Sequence, residues 1–237
     1  MTAMTVRKTT VILRPQRLAK SSQVYNAYDE PKLLRIDTYH GWAETGTSIV
    51  GIFNVCQYAL TEIICLSDFP GTAVGSYIIR SYVNGKTSIP MTQEDDNSFT
   101  HVDLDVKGYD ILTAYPVSTL NGPKTPLKIA NLGLTDKMSG AVAIVATRKF
   151  VDDSGRLRIW TSLKALGTFG LWIDNLPSVS VESDIFITML GQPVPLHCVK
   201  VCDKDDRILE IDLERTWKEG AYQPGWSNEV VLELMIK

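Results

Sequence analysis

Short apolar runs, some alternating and some continuous, are broken throughout the chain by Gly, Pro, Asn and Asp, which predicts strands and turns more than helices. Tyr77–Val83 leads into Asn84-Gly85 and out through Lys86–Ile89. Asn-Gly accepts the positive φ that a tight hairpin turn demands, so a hairpin is expected there. Ala141–Val151 meets Asp152-Asp153-Ser154-Gly155 and continues as Arg156–Trp160, a second hairpin with Leu157 and Ile159 on one face. A third pairs Leu196–Val201 with Arg207–Leu213 across Asp203–Asp206. Its alternation sends Leu209, Ile211 and Leu213 toward a core and Ile208, Glu210 and Asp212 toward water. Further strands are predicted at Thr9–Leu13, Leu33–Thr38, Phe99–Val106, Asp110–Tyr115, Leu127–Asn131, Asp184–Leu190 and Glu229–Ile236.

One stretch has a different period. Val55, Cys56, Ala59, Leu60, Ile63 and Ile64 form a helical stripe behind Asn54, a residue suited to an N-cap, which predicts a helix over 54–65 ending before Asp68-Phe69-Pro70-Gly71. A second short helix is expected near Thr161–Thr168. Ser118–Pro126 is the most linker-like segment. The expected fold is therefore mainly β: two β-sandwich lobes, residues 1–120 and 121–237, with one or two short helices. The alternative is a single jelly-roll-like β-sandwich.

Composition narrows the setting. The 237 residues are 44% hydrophobic and 22% charged, enough for a sizeable core and unlike a disordered or fibrous chain. No apolar run of membrane-spanning length occurs, and Met1–Lys20 has no signal-peptide centre, so the expectation is a protein neither spanning a membrane nor secreted by that route. Four cysteines, Cys56, Cys65, Cys198 and Cys202, are too few for a disulfide framework, and no Asn-x-Ser/Thr acceptor is present, which favours a reducing intracellular setting.

Charge is segregated. Residues 1–20 hold Arg7, Lys8, Arg14, Arg17 and Lys20 and no acid, whereas the remaining 217 residues carry 19 bases against 27 acids. A basic arm on an acidic body is drawn to anionic surfaces, and each base near an anionic leaflet is worth about 1 kcal/mol. An anionic membrane ranks above nucleic acid as its target, because no aromatic-rich basic patch stands out in the sequence.

Other constellations carry less. His197-Cys198-x-x-x-Cys202 offers zinc-type ligands, but in a strand Cys198 and Cys202 share a face while His197 points the other way, so no metal site and no cofactor is expected. His40, His101 and His197 are scattered, and no Gly-x-Ser-x-Gly, His-Glu-x-x-His or P-loop string occurs, so an enzyme is not the expectation. Glu94-Asp95-Asp96 and Asp203, Asp205, Asp206 read as solvated turns, since they lack the calcium-loop spacing. Tyr115, Pro116 and Leu120 fit the loose Tyr-Pro-x(n)-Leu pattern by which viral structural proteins recruit a host membrane-scission adaptor; a strand ending in a proline turn accounts for it equally. Trp217, Tyr222 and Trp226 lie in one Gly/Pro loop and either form an interface, to protein or carbohydrate, or pin the loop to its own domain.

Phe99–Asp105, the turn at Lys107-Gly108 and Tyr109–Thr113, preceded by the expected 54–65 helix and the Tyr77–Val83 strand, resemble a strand pair of matrix proteins of non-segmented negative-strand RNA viruses. The likeness covers about 60 residues and is one of element order. It implies two β-sandwich lobes, self-assembly into dimers and a layer beneath the membrane in the virion and host cytoplasm, and contact with nucleocapsid or RNA. The pI of 5.7 departs from the basic face common in that family and leaves attachment to the arm or to an assembled layer. A nucleic-acid-associated viral β protein, capsid or movement protein, is the alternative, and a carbohydrate-binding β-sandwich a further one.

Overall fold

The computed structural model describes residues 10–12, 33–40, 46–69, 72, 74–92, 99–121, 126–220, 222 and 229–236. Its strands are β1 (Thr10–Ile12), β2 (Leu33–His40), β3 (Thr47–Asn54), β4 (Leu60–Cys65), β5 (Ser76–Ser81), β6 (Met91–Thr92), β7 (Phe99–Leu104), β8 (Tyr109–Pro116), β9 (Ser118–Asn121), β10 (Pro126–Leu134), β11 (Ile144–Val151), β12 (Leu157–Leu163), β13 (Thr168–Ile173), β14 (Ile185–Met189), β15 (Gln192–Pro193), β16 (Val199–Cys202), β17 (Asp205–Asp212) and β18 (Val230–Ile236). Two short helices, α1 (Val181–Asp184) and α2 (Leu213–Glu219), complete it.

The fold is mainly β and of sandwich type. A first sheet, in the order β1-β2-β3-β8-β5-β6, and a two-stranded ribbon, β4-β7, use the strands up to Pro116. A second sheet, β16-β17-β13-β10-β9, and a third, β11-β12-β18-β14-β15, use those from Ser118 onward. All pairings among the described residues are antiparallel. Because side chains alternate across a strand, each sheet has two faces to satisfy, and here the layers stack. Val50, Ile52, Ile79, Leu112 and Ala114 of the first sheet pack against Ile64, Val102 and Leu104 of the ribbon. The opposite face of the first sheet, through Ile78 and Tyr115, meets Ala130, Leu132, Trp172 and Ile208 of the second. The second sheet's other face, with Ile129, Phe169, Leu171 and Ile211, closes on Leu157, Ile159, Leu232 and Leu234 of the third. Being covered on both sides explains why β13 reads as an unbroken Phe-Gly-Leu-Trp-Ile run.

Several expectations are corrected. The segment expected as a helix over 54–65 is a loop followed by β4, paired residue by residue with β7. Asn54 closes β3 instead of capping a helix: its Nδ2 donates to the carbonyls of Tyr58 and Asp105, both at 2.8 Å, while its Oδ1 accepts from Cys56 N at 2.9 Å. The stripe was misleading because Ile63 is exposed and only Ile64 of the pair is buried, as a strand requires. The weaker helix near Thr161–Thr168 is the end of β12 and the start of β13. Ser118–Asn121, expected within a linker, is β9 and pairs with β10. The strands β7 and β8, which carried the likeness to viral matrix proteins, belong to the ribbon and to the first sheet and do not pair with each other. Ile208, expected to face water, is buried against the first sheet.

Two devices fix the stacking. Gly133, at φ +70°, sits at a bulge in β10, and the turn Gly140–Ala143 lies directly on that strand; a Cβ at Gly140 would stand 1.7 Å from the Leu134 carbonyl oxygen. Gly140→Ala forces the turn off the strand and is expected to lower the free energy of unfolding by about 1–3 kcal/mol, read from denaturant titration. An unchanged midpoint would contradict this close approach. The second device joins the tips of two hairpins. Asp205, expected in a solvated turn, is buried and accepts from Thr87 N at 2.8 Å and from the Thr87 hydroxyl, while Arg207 Nε stands 3.2 Å from its other oxygen and Arg207 Nη2 donates to the Thr87 carbonyl at 3.1 Å.

Edge strand β11 is guarded. Lys149 points inward, its amine donating to Ser118 Oγ at 2.9 Å, and burial lowers its pKa to about 8. An inward lysine at a sheet edge discourages pairing with a second chain.

Candidate functional site

The third sheet turns one face inward to the core and leaves the other open. Two cross-strand rows run over that open face. Phe150 stands opposite Arg158, Arg158 opposite Met235 and Met235 opposite Phe186; the next row is Arg148, Trp160, Glu233 and Thr188. Four strands spaced about 4.8 Å apart make each row about 14 Å long. Phe150 and Phe186, at the two ends of the first row, are 48% and 49% exposed. Met235 between them and Trp160 in the next row are half-buried.

The charges on this face are arranged in two ways. Arg158 is held by both carboxylates, with Nε 2.9 Å from Asp152 and Nη1 2.7 Å from Glu233. The Arg156 backbone N–H and then the Arg158 guanidinium hold the Asp152 carboxyl below the usual carboxylate range. Arg148 instead lies over the Trp160 ring, 5.7 Å from its centroid, a cation–π contact. Arg156 reaches back to the Met235 sulfur at 3.7 Å. Two guanidinium groups therefore lie along an aromatic and thioether surface, paired with no carboxylate among the described residues. Such a surface can press against a flat partner with its apolar rings and engage anionic groups with its arginines.

Sequence reasoning did not single out this face. The signal existed in the alternation of Arg148, Phe150, Arg158, Trp160, Phe186 and Met235, but which of two alternating faces is covered depends on the neighbouring sheet.

The residues that were singled out are placed as follows. Arg7, Lys8, Arg14, Arg17, Lys20 and Trp226 lie outside the described residues. Tyr115 is buried between the first and second sheets, and burial raises its pKa above the usual tyrosine value. Pro116 and Leu120 are half-buried in β8 and β9, so the Tyr-Pro-x-x-x-Leu string is built into strands of this fold. Trp217, expected in a loop, lies in α2; it stacks on Tyr222 at 5.6 Å between ring centroids, and both pack on the core between the second and third sheets.

Residues 196–198 are not strand, as the sequence suggested, but a single 3-10 turn before β16. His197 Nε2 and Glu219 Oε2 are 2.6 Å apart, and the Cys198 thiol lies with them in a cluster whose ligand atoms fall within 4.8 Å of one another. Cys202 is elsewhere, at the contact of the first and second sheets. No helix among the described residues is long and apolar enough to cross a membrane. No protein-family model matches the chain, and no curated protein matches its sequence.

Proposed function

We propose that this chain is a non-enzymatic, matrix-like structural protein of a virus, which docks peripherally on an anionic membrane surface in the host cytoplasm, assembles there with copies of itself and links that layer to nucleocapsid. The observation that carries the reading is the open face of the third sheet, where Phe150, Trp160, Phe186 and Met235 lie beside Arg148 and Arg156. The basic residues Arg7, Lys8, Arg14, Arg17 and Lys20 supply a second attraction to the same kind of surface.

The magnitudes favour assembly over single-copy binding. Finishing the burial of two half-exposed phenylalanines contributes about 1 kcal/mol each, and five arm charges contribute about 1 kcal/mol each at an anionic leaflet. The acidic remainder of the chain subtracts from that sum. One copy is thus a weak binder, whereas linked copies multiply the contacts.

Co-flotation tests this. The full chain is expected to float with phosphatidylserine liposomes and not with neutral ones, and Phe150→Ser combined with Phe186→Ser is expected to reduce flotation at least tenfold while leaving the melting temperature nearly unchanged. Replacing Arg7, Lys8, Arg14, Arg17 and Lys20 by glutamine, which keeps β1 paired with β2, is expected to reduce flotation at least as much. Absence of flotation, together with RNA binding that weakens steeply with salt, would replace the membrane by nucleic acid stacked on the same aromatic face.

A further inference from the structure

The cluster formed by the turn before β16 and the end of α2 has no part in that docking face, and its donor set is that of a metal site. We infer that His197, Cys198 and Glu219 bind a zinc-class divalent ion with three protein ligands and one open position. Imidazole, thiolate and carboxylate together are a borderline-soft set that suits zinc and excludes calcium and magnesium, which take oxygen ligands. Zinc bonds of about 2.0–2.3 Å place tetrahedral ligand atoms about 3.3–3.8 Å apart. The observed separations bracket that range: 2.6 Å from His197 Nε2 to Glu219 Oε2, and at most 4.8 Å within the trio.

The cluster is built to adjust by the small amount required. Cys198 is fixed, 3% exposed and part of the core, so its sulfur defines the position of the ion. His197 and Glu219 reach it from the solvent side, with side chains 53% and 37% exposed, and both can swing apart to admit an ion. Arg215 Nε donates to Glu219 Oε1 at 2.8 Å, which holds the carboxylate so that Oε2 faces the imidazole and the thiol. Next to Glu219, the Tyr222 ring lies so close over Gly220 that a Cβ there would meet Cε2 at 2.0 Å. The ion would tie α2 to the turn that precedes β16. In zinc binding the Cys198 S–H proton is released to solvent, and an aquo ligand fills the fourth position.

Cobalt(II) titration of the metal-free full chain gives the readout. A thiolate-to-cobalt charge-transfer band with the intense visible bands of tetrahedral coordination is expected, with one equivalent of zinc removing both and magnesium removing neither. Cys198→Ser is expected to abolish the charge-transfer band, while Cys56→Ser and Cys65→Ser keep it. Glu219→Gln, which keeps size and an acceptor for Arg215, is expected to weaken binding at least tenfold with its circular dichroism unchanged. A missing band in the folded wild-type chain, or a band that persists in Cys198→Ser, would overturn the assignment.

Discussion

Truncating Trp172 to alanine is expected to lower the free energy of unfolding by about 3–5 kcal/mol, the range for removing a fully buried aromatic. Trp172 is 0% exposed and sits on the face of β13 that meets the first sheet, among Ile78, Tyr115, Ala130, Leu132 and Ile208. Arg207 lies 5.7 Å from its ring centroid. Its indole N–H has no acceptor among the described residues, so the ring is held by packing and not by a hydrogen bond. Two consequences separate this position from an ordinary core residue. Trp172→Phe, which keeps most of the apolar area and removes the orphan N–H, is expected to cost less than half as much as alanine. In Trp172→Ala, hydrogen exchange is expected to accelerate first in β5 and β8, which pack on the indole, before β11 and β12, which do not. A uniform acceleration across all sheets would contradict the layer order.

Removing the Asp205 side chain is expected to cost about 3 kcal/mol, because Arg207 and the Thr87 N–H and hydroxyl lose a charged acceptor at a buried junction. The Asp205 side chain is 4% exposed, but that of Arg207 is 24% exposed and can turn to water, which keeps the loss at the lower end for a broken buried pair. Burial by itself raises the Asp205 pKa; the Thr87 and Arg207 hydrogen bonds outweigh it and set the carboxyl below its ordinary value. A carboxyl depressed in the folded state stabilises above its unfolded pKa, and that contribution disappears as pH falls through the folded value. The stability gap between wild type and Asp205→Asn is therefore expected to be constant above about pH 5 and to shrink below about pH 4. A gap that widened on acidification would show that the carboxyl is neutral in the folded chain.

How much of this was legible beforehand follows the range of the interactions. The hairpin around Asp152–Gly155 was readable because its turn, its alternation and its partner strand are all local, and β11 and β12 pair as the sequence predicts. The Asn84-Gly85 turn is also local: Ser81 N reaches the Lys86 carbonyl at 3.0 Å. The 54–65 segment was not readable, because its helical stripe competes with a pairing to β7 about 40 residues away that only the folded chain supplies. Ile208 and Asp205 were assigned to water for the same reason: the first sheet that covers them is distant in sequence. The open face of the third sheet and the His197–Cys198–Glu219 cluster share this logic. Each residue is visible in the sequence, but the first depends on which side of the third sheet stays uncovered, and the second on a 3-10 turn replacing the strand that would have sent His197 away from Cys198.

The central claim is that the open face of the third sheet meets the membrane. A polarity-sensitive fluorophore attached at Thr188→Cys, in a chain with Cys56 and Cys65 changed to serine, reports on that face from near the end of β14. On phosphatidylserine vesicles its emission is predicted to shift to the blue and to be quenched by lipid-borne nitroxide, while the same label at Thr61→Cys, on the outer side of the ribbon, stays in water. A vesicle-bound chain whose label at 188 remains in water, or whose label at 61 is the one quenched, would contradict the account.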